Sequence, residues 1–397
     1  MSPELEKLLS PAKMAGLALR NRVIKTATFE GMTPEGIPTP QLIEFHRKAA
    51  AGGAALTTVG QANVSIDGRN LDNQFYFHER AREPLRRLTD VVHEHGAKVS
   101  AQLSHCGFFK MNKPVNSKRA LAPSFMFNKL GAPFGRFFAD GMTLRDIDNV
   151  VADYVRSAAM ARDTGFDALE ISMSHGYMLS QFISANINKR KDEYGGSLAN
   201  RMRLPLRIVK AIRAEVGKDF PLMAKINLDD GCRGGIEIAD AVQVAKHLEA
   251  GGIDAIVTSA GRSPGNTMLM FRGESPIPFM IEQQKSPFMK FFLRHFGKRQ
   301  FTPMPYHDLF LLGMARELRK AVKCGIVYTG GVSSVQSMET AMLEGFDFVG
   351  VGRAMIHDPA MVNRIKENPR YVNGCTHCNQ CVALIYDPRG VRCVLNS

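Results

Sequence analysis

A chain of 397 residues can hold two average domains or one large α/β barrel, and 45% hydrophobic with 22% charged residues provides for a sizeable core. No run approaches the roughly 18 apolar residues that span a bilayer, and the opening stretch lacks a basic segment followed by an apolar one, so neither an integral membrane protein nor a secreted precursor is expected. A net charge of +13 comes without a lysine/arginine block, zinc-finger spacing or an aromatic-interleaved motif, so a small-molecule function in the cytoplasm is expected and nucleic-acid binding is not.

In chain order, short β-rich runs alternate with longer segments of helical period. A strand at 23–28 precedes a helix at 40–51; a strand at 56–60 precedes a helix at 79–95. The strand at 98–103 leads into a loop at 108–141 rich in Pro, Phe, Asn and Gly, then a helix at 143–164. Strands at 168–172 and 222–226 are followed by helices at 199–216 and 236–250. After a strand at 255–258 comes a long insertion, residues 261–306, and a helix at 307–323. Strands at 326–329 and 348–350 with helices at 335–343 and 359–367 complete the series. Several strands are continuously apolar, as strands buried on both faces must be. Eight β-then-α units predict a closed (β/α)8 TIM barrel over residues 1–370, because no GxGxxG follows an early strand to start an open doubly wound sheet. Between Arg262 and Tyr306, seven basic residues stand against two acidic ones. That insertion reads as a loop shaping the site, as an oligomer contact or lid without chemistry, or as a membrane-facing amphipathic patch through residues 287–299.

Catalytic groups of such a barrel lie at the C-terminal ends of its strands, and phosphates bind after strands seven and eight. There the sequence places Gly330 and Gly331, then Gly352 and Arg353. Glycine lets backbone N–H groups approach a phosphate, and the arginine adds a charge-assisted hydrogen bond. At other strand ends stand Gly60, Gln102, His175, Tyr177 and Lys225. A strand lysine must face a ligand or a partner. It could pair with Glu170, or serve as the nucleophile of a Schiff-base lyase.

The stretch from Glu170-Ile-Ser-Met-Ser-His175-Gly-Tyr177 through Asn188, Arg190, Asp192, Tyr194 and Ser197 to Asn200-Arg201 resembles the signature of the old yellow enzyme family of NADH:flavin oxidoreductases. The likeness extends to Asn21-Arg22-Val23-Ile24, to Ala101-Gln102-Leu103-Ser104-His105-Cys106-Gly107 and to Gly350-Val351-Gly352-Arg353, and reaches the barrel part of 2,4-dienoyl-CoA reductase. It implies an FMN barrel that takes hydride from NAD(P)H and reduces an activated alkene or similar acceptor. Thr26, Ala27 and Thr28 would pass the flavin ring, with Gly60 beside them. Gln102 would bond the pyrimidine edge, Lys225 would face N1 and O2, and Gly330, Gly331, Gly352 and Arg353 would hold the phosphate. Tyr177 would deliver a proton to the substrate, and His175 with Ser172 would bind its carbonyl. Ser172 stands where the family commonly has a histidine, and Phe29 and Phe108 also depart from the pattern. The family further implies a homo-oligomer.

Cys375, Cys378, Cys381 and Cys393 crowd residues 371–397, a cysteine-rich tail with metal-ligand spacing. A similar set after the barrel of dienoyl-CoA reductases holds a [4Fe-4S] cluster, although here two residues separate the second and third cysteines where that branch has three. Zinc, with His377 able to replace one thiolate, and an empty set of thiols are the alternatives. Beside the flavin oxidoreductase, two other readings stand: a Schiff-base lyase using Lys225, and an electron-transfer or structural partner without turnover.

Overall fold

A computed structural model describes residues 1–112, 119–297 and 300–396. Its centre is a closed barrel of eight parallel strands: β1 Val23–Thr28, β2 Leu56–Asn63, β3 Lys98–Ser104, β4 Ala168–Met173, β5 Leu222–Asn227, β6 Ala255–Ser259, β7 Gly325–Tyr328 and β8 Phe348–Val351. Pairing of Val349 with Val23 closes the ring. All residues of β4 and β5 are buried, which is the reason their sequence runs apolar without alternation.

The outer ring is α1 Pro40–Ala51, α2 Arg82–Glu94, α3 Leu144–Asp163, α4 Arg203–Val216, α5 Ile238–Ala250, α6 Leu312–Ala321, α7 Val335–Leu343 and α8 Met361–Glu367. Their starts are chemically marked. Thr39 accepts from the Leu42 amide ahead of Pro40, and Thr143 with Asp146 forms a capping box.

The N-terminal end of the barrel is pinned by one device used three times. Asp167 accepts from the Val99 amide (2.9 Å) and pairs with His93 (2.7 Å). Asp254 accepts from the Leu222 amide (2.8 Å) and Arg213 (2.6 Å). Asp347 accepts from the Ile326 amide (2.9 Å) and Arg319 (3.0 Å). Each carboxylate precedes an even-numbered strand and ties the start of the preceding odd strand to the helix that leads into that odd strand. A hairpin, Ala12–Met14 with Leu17–Leu19, packs against Ile24, Leu56, Met223 and Phe348 and plugs this end.

Differences from the expected elements have local causes. The helix expected at 307–323 starts only at Leu312, because Leu309 adopts φ 56° and its amide is taken by the Gly331 carbonyl. The helix expected at 199–216 is two, Leu198–Arg201 and Arg203–Val216. An unexpected short helix, Arg353–His357, follows β8 directly. The loop at 108–141 contains a small sheet of Ala120–Ala122, Met126–Phe127 and Phe138–Gly141. The insertion carries helices Thr267–Phe271, Ile277–Gln283 and Pro287–Phe292 and a wide turn at Leu293–Gly297. Among the described residues, no helix is long and apolar enough to cross a membrane.

Candidate active site

A cavity of about 1420 Å³ opens at the C-terminal ends of the strands. Thr26, Ala27, Thr28, Gln102, His175, Tyr177, Lys225, Gly330, Gly331, Gly352 and Arg353 all line it. Gly60 and Ser172, expected with them, do not. A Cβ on Gly60 would meet the Thr28 carbonyl oxygen at 1.7 Å, so that glycine lets β2 approach the β1 bulge. Ser172 is buried on β4, beside Lys225 in the strand register.

The polar wall is pre-arranged. Lys225 Nζ donates to Thr26 Oγ1 at 3.0 Å and stands 3.8 Å from the Glu170 carboxylate. The ion pair foreseen as the alternative to a ligand role is therefore present, yet the lysine also faces the cavity. Gln102 Nε2 donates to Glu170 (2.6 Å), and its carbonyl accepts from the Gln61 amide (3.1 Å). That leaves Gln102 one N–H and one lone pair for a ligand. On β1, the buried Lys25 Nζ donates to Thr28 Oγ1 (2.9 Å) at the cavity edge and to the buried Glu30 (3.2 Å).

Tyr177 is buried and lies edge-on to Phe109. Gln61 Nε2 donates to its phenolic oxygen, and Gln74 Nε2 in turn donates to Gln61 Oε1. With its oxygen occupied as acceptor, the Tyr177 O–H is left to donate elsewhere. Burial pushes its pKa up, so the proton stays on. His175 Nε2 lies 2.5 Å from Ser259 Oγ. Burial, with Lys225 nearby, lowers its pKa to about 3, so the imidazole is neutral at pH 7 and can donate a hydrogen bond. Sequence reasoning missed Gln61, Gln74 and Ser259. The φ of 50° at Gln61, the extra residue of a β-bulge, has no signature in composition.

The fit of FMN rests on the glycines between β7, β8 and β1. A Cβ on Gly350 would meet Thr329 Cγ2 at 2.3 Å, and one on Gly352 would meet Thr26 Cγ2 at 3.4 Å. A side chain at Gly350 would collide with Thr329, and one at Gly352 would stand against Thr26 on the cavity wall. Arg353 contributes a guanidinium held by Arg272 O (2.9 Å) and Asn379 Oδ1 (2.5 Å). The residues present thus suit a phosphate-bearing ring ligand.

The far wall comes from the end of the chain: Leu384, Ile385, Tyr386 and Val391 line the cavity, and Asn73 Nδ2 anchors the Ile385 carbonyl at 2.8 Å. Just outside, Cys375, Cys378, Cys381 and Cys393 all line one small cavity together with Arg353. Burial pushes the Cys381 thiol up to about 12; Arg353 opposes that rise, while the other three cysteines add to it. Among the described residues, no three His, Cys, Asp or Glu side chains stand close enough to hold a metal ion.

A closed parallel barrel with one large cavity at its strand C-termini defines the frame of a barrel enzyme. The chain belongs to the NADH:flavin oxidoreductase / NADH oxidase family, whose model matches residues 7–289. It is thus a flavin-dependent NAD(P)H oxidoreductase of the old yellow enzyme type. It is similar to 4,4'-dithiodibutanoate disulfide reductase of Rhodococcus erythropolis, 40% identical over 389 residues, 98% of this chain and 94% of that one. Among solved structures it is similar to 2-naphthoyl-CoA reductase (TM-score 0.80, 25% identity, 95% of this chain and 55% of that one). The old yellow enzyme homologue from Zymomonas mobilis shares the fold (TM-score 0.72, 20% identity, 94% and 96% covered). The chain spans about half the length of several other relatives it matches.

Proposed function

We propose that the cavity binds FMN and serves as a single-barrel ene-reductase, with Tyr177 as the proton donor to an activated alkene. The observation that carries this is the Gln74–Gln61–Tyr177 chain, which leaves a buried phenol with its hydrogen free to be given away. FMN, when bound, supplies hydride transfer from NAD(P)H to the acceptor. Thr26, Ala27, Thr28 and Gln102 would seat its ring, and Gly330, Gly331, Gly352 and Arg353 its phosphate, while Lys225 offers the charge that a reduced flavin's pyrimidine edge requires. His175, held by Ser259, donates to the acceptor's carbonyl and polarises it. A phenol protonating the carbon opposite hydride attack completes the reduction. The experiment is stopped-flow on Tyr177→Phe. Flavin bleaching by NAD(P)H should persist, and reoxidation by an enone should slow by about 10²–10⁴-fold; equal slowing of both halves rejects the assignment.

A disulfide acceptor is the second reading, supported by the 40% identity to the Rhodococcus disulfide reductase. The same acid would protonate a leaving thiolate, and comparing an enone with a dithiodicarboxylate as oxidant of the reduced enzyme separates the two. The Schiff-base alternative is tested by borohydride trapping, in which no covalent adduct at Lys225 is expected.

Residues 1–370 are proposed as the barrel unit and 371–397 as a cysteine-rich tail holding a [4Fe-4S] cluster. Four thiols lining one small cavity support this, and the side chains would have to close on the cluster. Iron and sulfide analysis of anaerobically purified protein distinguishes it from zinc and from free thiols. A cytoplasmic homo-oligomer completes the reading. The exposed Phe125, Phe127 and Phe137 on the loop after β3 support self-association, to be measured by sedimentation.

A further inference from the structure

Across the insertion, Pro287–Phe292 and the turn at Leu293–Gly297 form a two-faced strip at the cavity mouth. Met289, Phe292 and Leu293 line the cavity. Phe288 and Phe291, three residues apart, are 62% and 56% exposed. Phe296 does both: it lines the cavity and is 58% exposed. Apolar surface therefore runs unbroken from the interior to the outside. Lys285, Lys290 and Arg294 flank it, with no acidic residue between Gln283 and Gly297. Among the described residues none of these three cations forms an ion pair. Lys290 and Arg294, four apart on one flank, repel each other unless an outside anion compensates them.

Exposed aromatic rings beside uncompensated cations are the chemistry of an element lying in a bilayer interface, rings among the acyl chains and ammonium and guanidinium groups reaching to lipid phosphates. A second copy of the same face is disfavoured, because a two-fold contact would oppose three cations with three cations. We propose that this strip docks the enzyme on an anionic lipid bilayer, with the cavity mouth against the membrane. A lipophilic ligand leaving the bilayer would meet Phe296 and then Met289, Phe292 and Leu293 without crossing water. The proposal is independent of the reaction assigned to the cavity.

The chain contains no tryptophan, so a single introduced one reports on its own site. In the flavin-loaded protein, Phe288→Trp should shift its emission to the blue on mixing with vesicles of phosphatidylcholine and phosphatidylglycerol, and be quenched by brominated acyl chains. Pure phosphatidylcholine should give neither effect. Leu343→Trp, 71% exposed at the C-terminal end of α7 and so at the opposite end of the barrel, should not respond. Adding Lys290→Glu and Arg294→Glu should weaken partitioning by roughly tenfold or more. An unchanged Phe288→Trp spectrum with native circular dichroism overturns the proposal. Equal responses at positions 288 and 343 would mean adsorption by overall charge and overturn it as well. So would a shift on raising protein concentration without vesicles, which assigns the face to a second copy. Indifference to charge reversal also overturns it.

Discussion

Two histidines with depressed pKa values carry opposite lessons about single residues. His175 faces the cavity, and its depressed pKa keeps a neutral donor available to a ligand. His105, 4% exposed, does no work in the cavity: its Nδ1 accepts from the Gly107 amide at 3.1 Å, and burial with Lys110 nearby pulls its pKa to about 3. The folded-state value lies below the unfolded one, so stability is intact above pH ~6.5. As pH falls from there toward about 3, the unfolded chain takes up a proton that the folded chain refuses, at a cost of roughly 1.4 kcal/mol per pH unit. Urea unfolding at pH 7 and pH 5 should show a steeper loss for the native chain than for His105→Asn, by about 2 kcal/mol. Equal slopes would place the proton uptake elsewhere. At Lys225, Lys225→Met leaves the Glu170 carboxylate without its cation, and FMN retention on gel filtration should fall with it.

At the scale of elements, the three aspartate ties distribute stability around the barrel. Removing the Asp254 carboxylate strands the Leu222 amide and takes the anion from Arg213, which keeps only backbone carbonyls such as Phe220 O and Gly252 O. Hydrogen bonds to charged groups contribute about 1.5–3 kcal/mol each, so Asp254→Ala should lower the urea midpoint markedly and leave the cavity residues' spectra unchanged. Gly350→Val is the contrasting case at the other end. Its first carbon already collides with Thr329, so the strand pair must part or the cradle fill, and flavin binding should be lost ahead of folding. Gly-apolar-Asp recurs in the sequence at Gly165-Phe166-Asp167, Gly252-Ile253-Asp254 and Gly345-Phe346-Asp347. The repeat was legible, but its purpose is visible only when an amide at the start of the neighbouring strand is in place.

For the whole molecule, the last residues decide whether the cavity is closed. Ala383, Leu384 and Val391 are buried, and Asn379 Nδ2 reaches the Glu274 carbonyl at 2.9 Å while its Oδ1 receives Arg353. The tail therefore braces the insertion and the cavity-lining Arg353 at once. A chain cut after residue 374 should still fold its barrel by circular dichroism but release FMN on dilution. Retention equal to the full chain would show that the tail is not a wall of the site.

The sequence by itself determined the eight strands and most helices, because buried parallel strands must be apolar on both faces and helix ends need caps and glycines close by in the chain. It also determined the contiguous set from Glu170 to Arg201, whose residues are neighbours before folding. Helix starts failed where a distant backbone intervened, as at Leu309 bonded to Gly331. Gln61 on Tyr177, Ser259 on His175 and Asn73 on Ile385 were decided only by tertiary structure. Those partners lie 116, 84 and 312 residues apart. The first two pairs meet because barrel closure sets which strand ends share a rim, and the third because the end of the chain folds back over that rim; no local pattern of side chains records either.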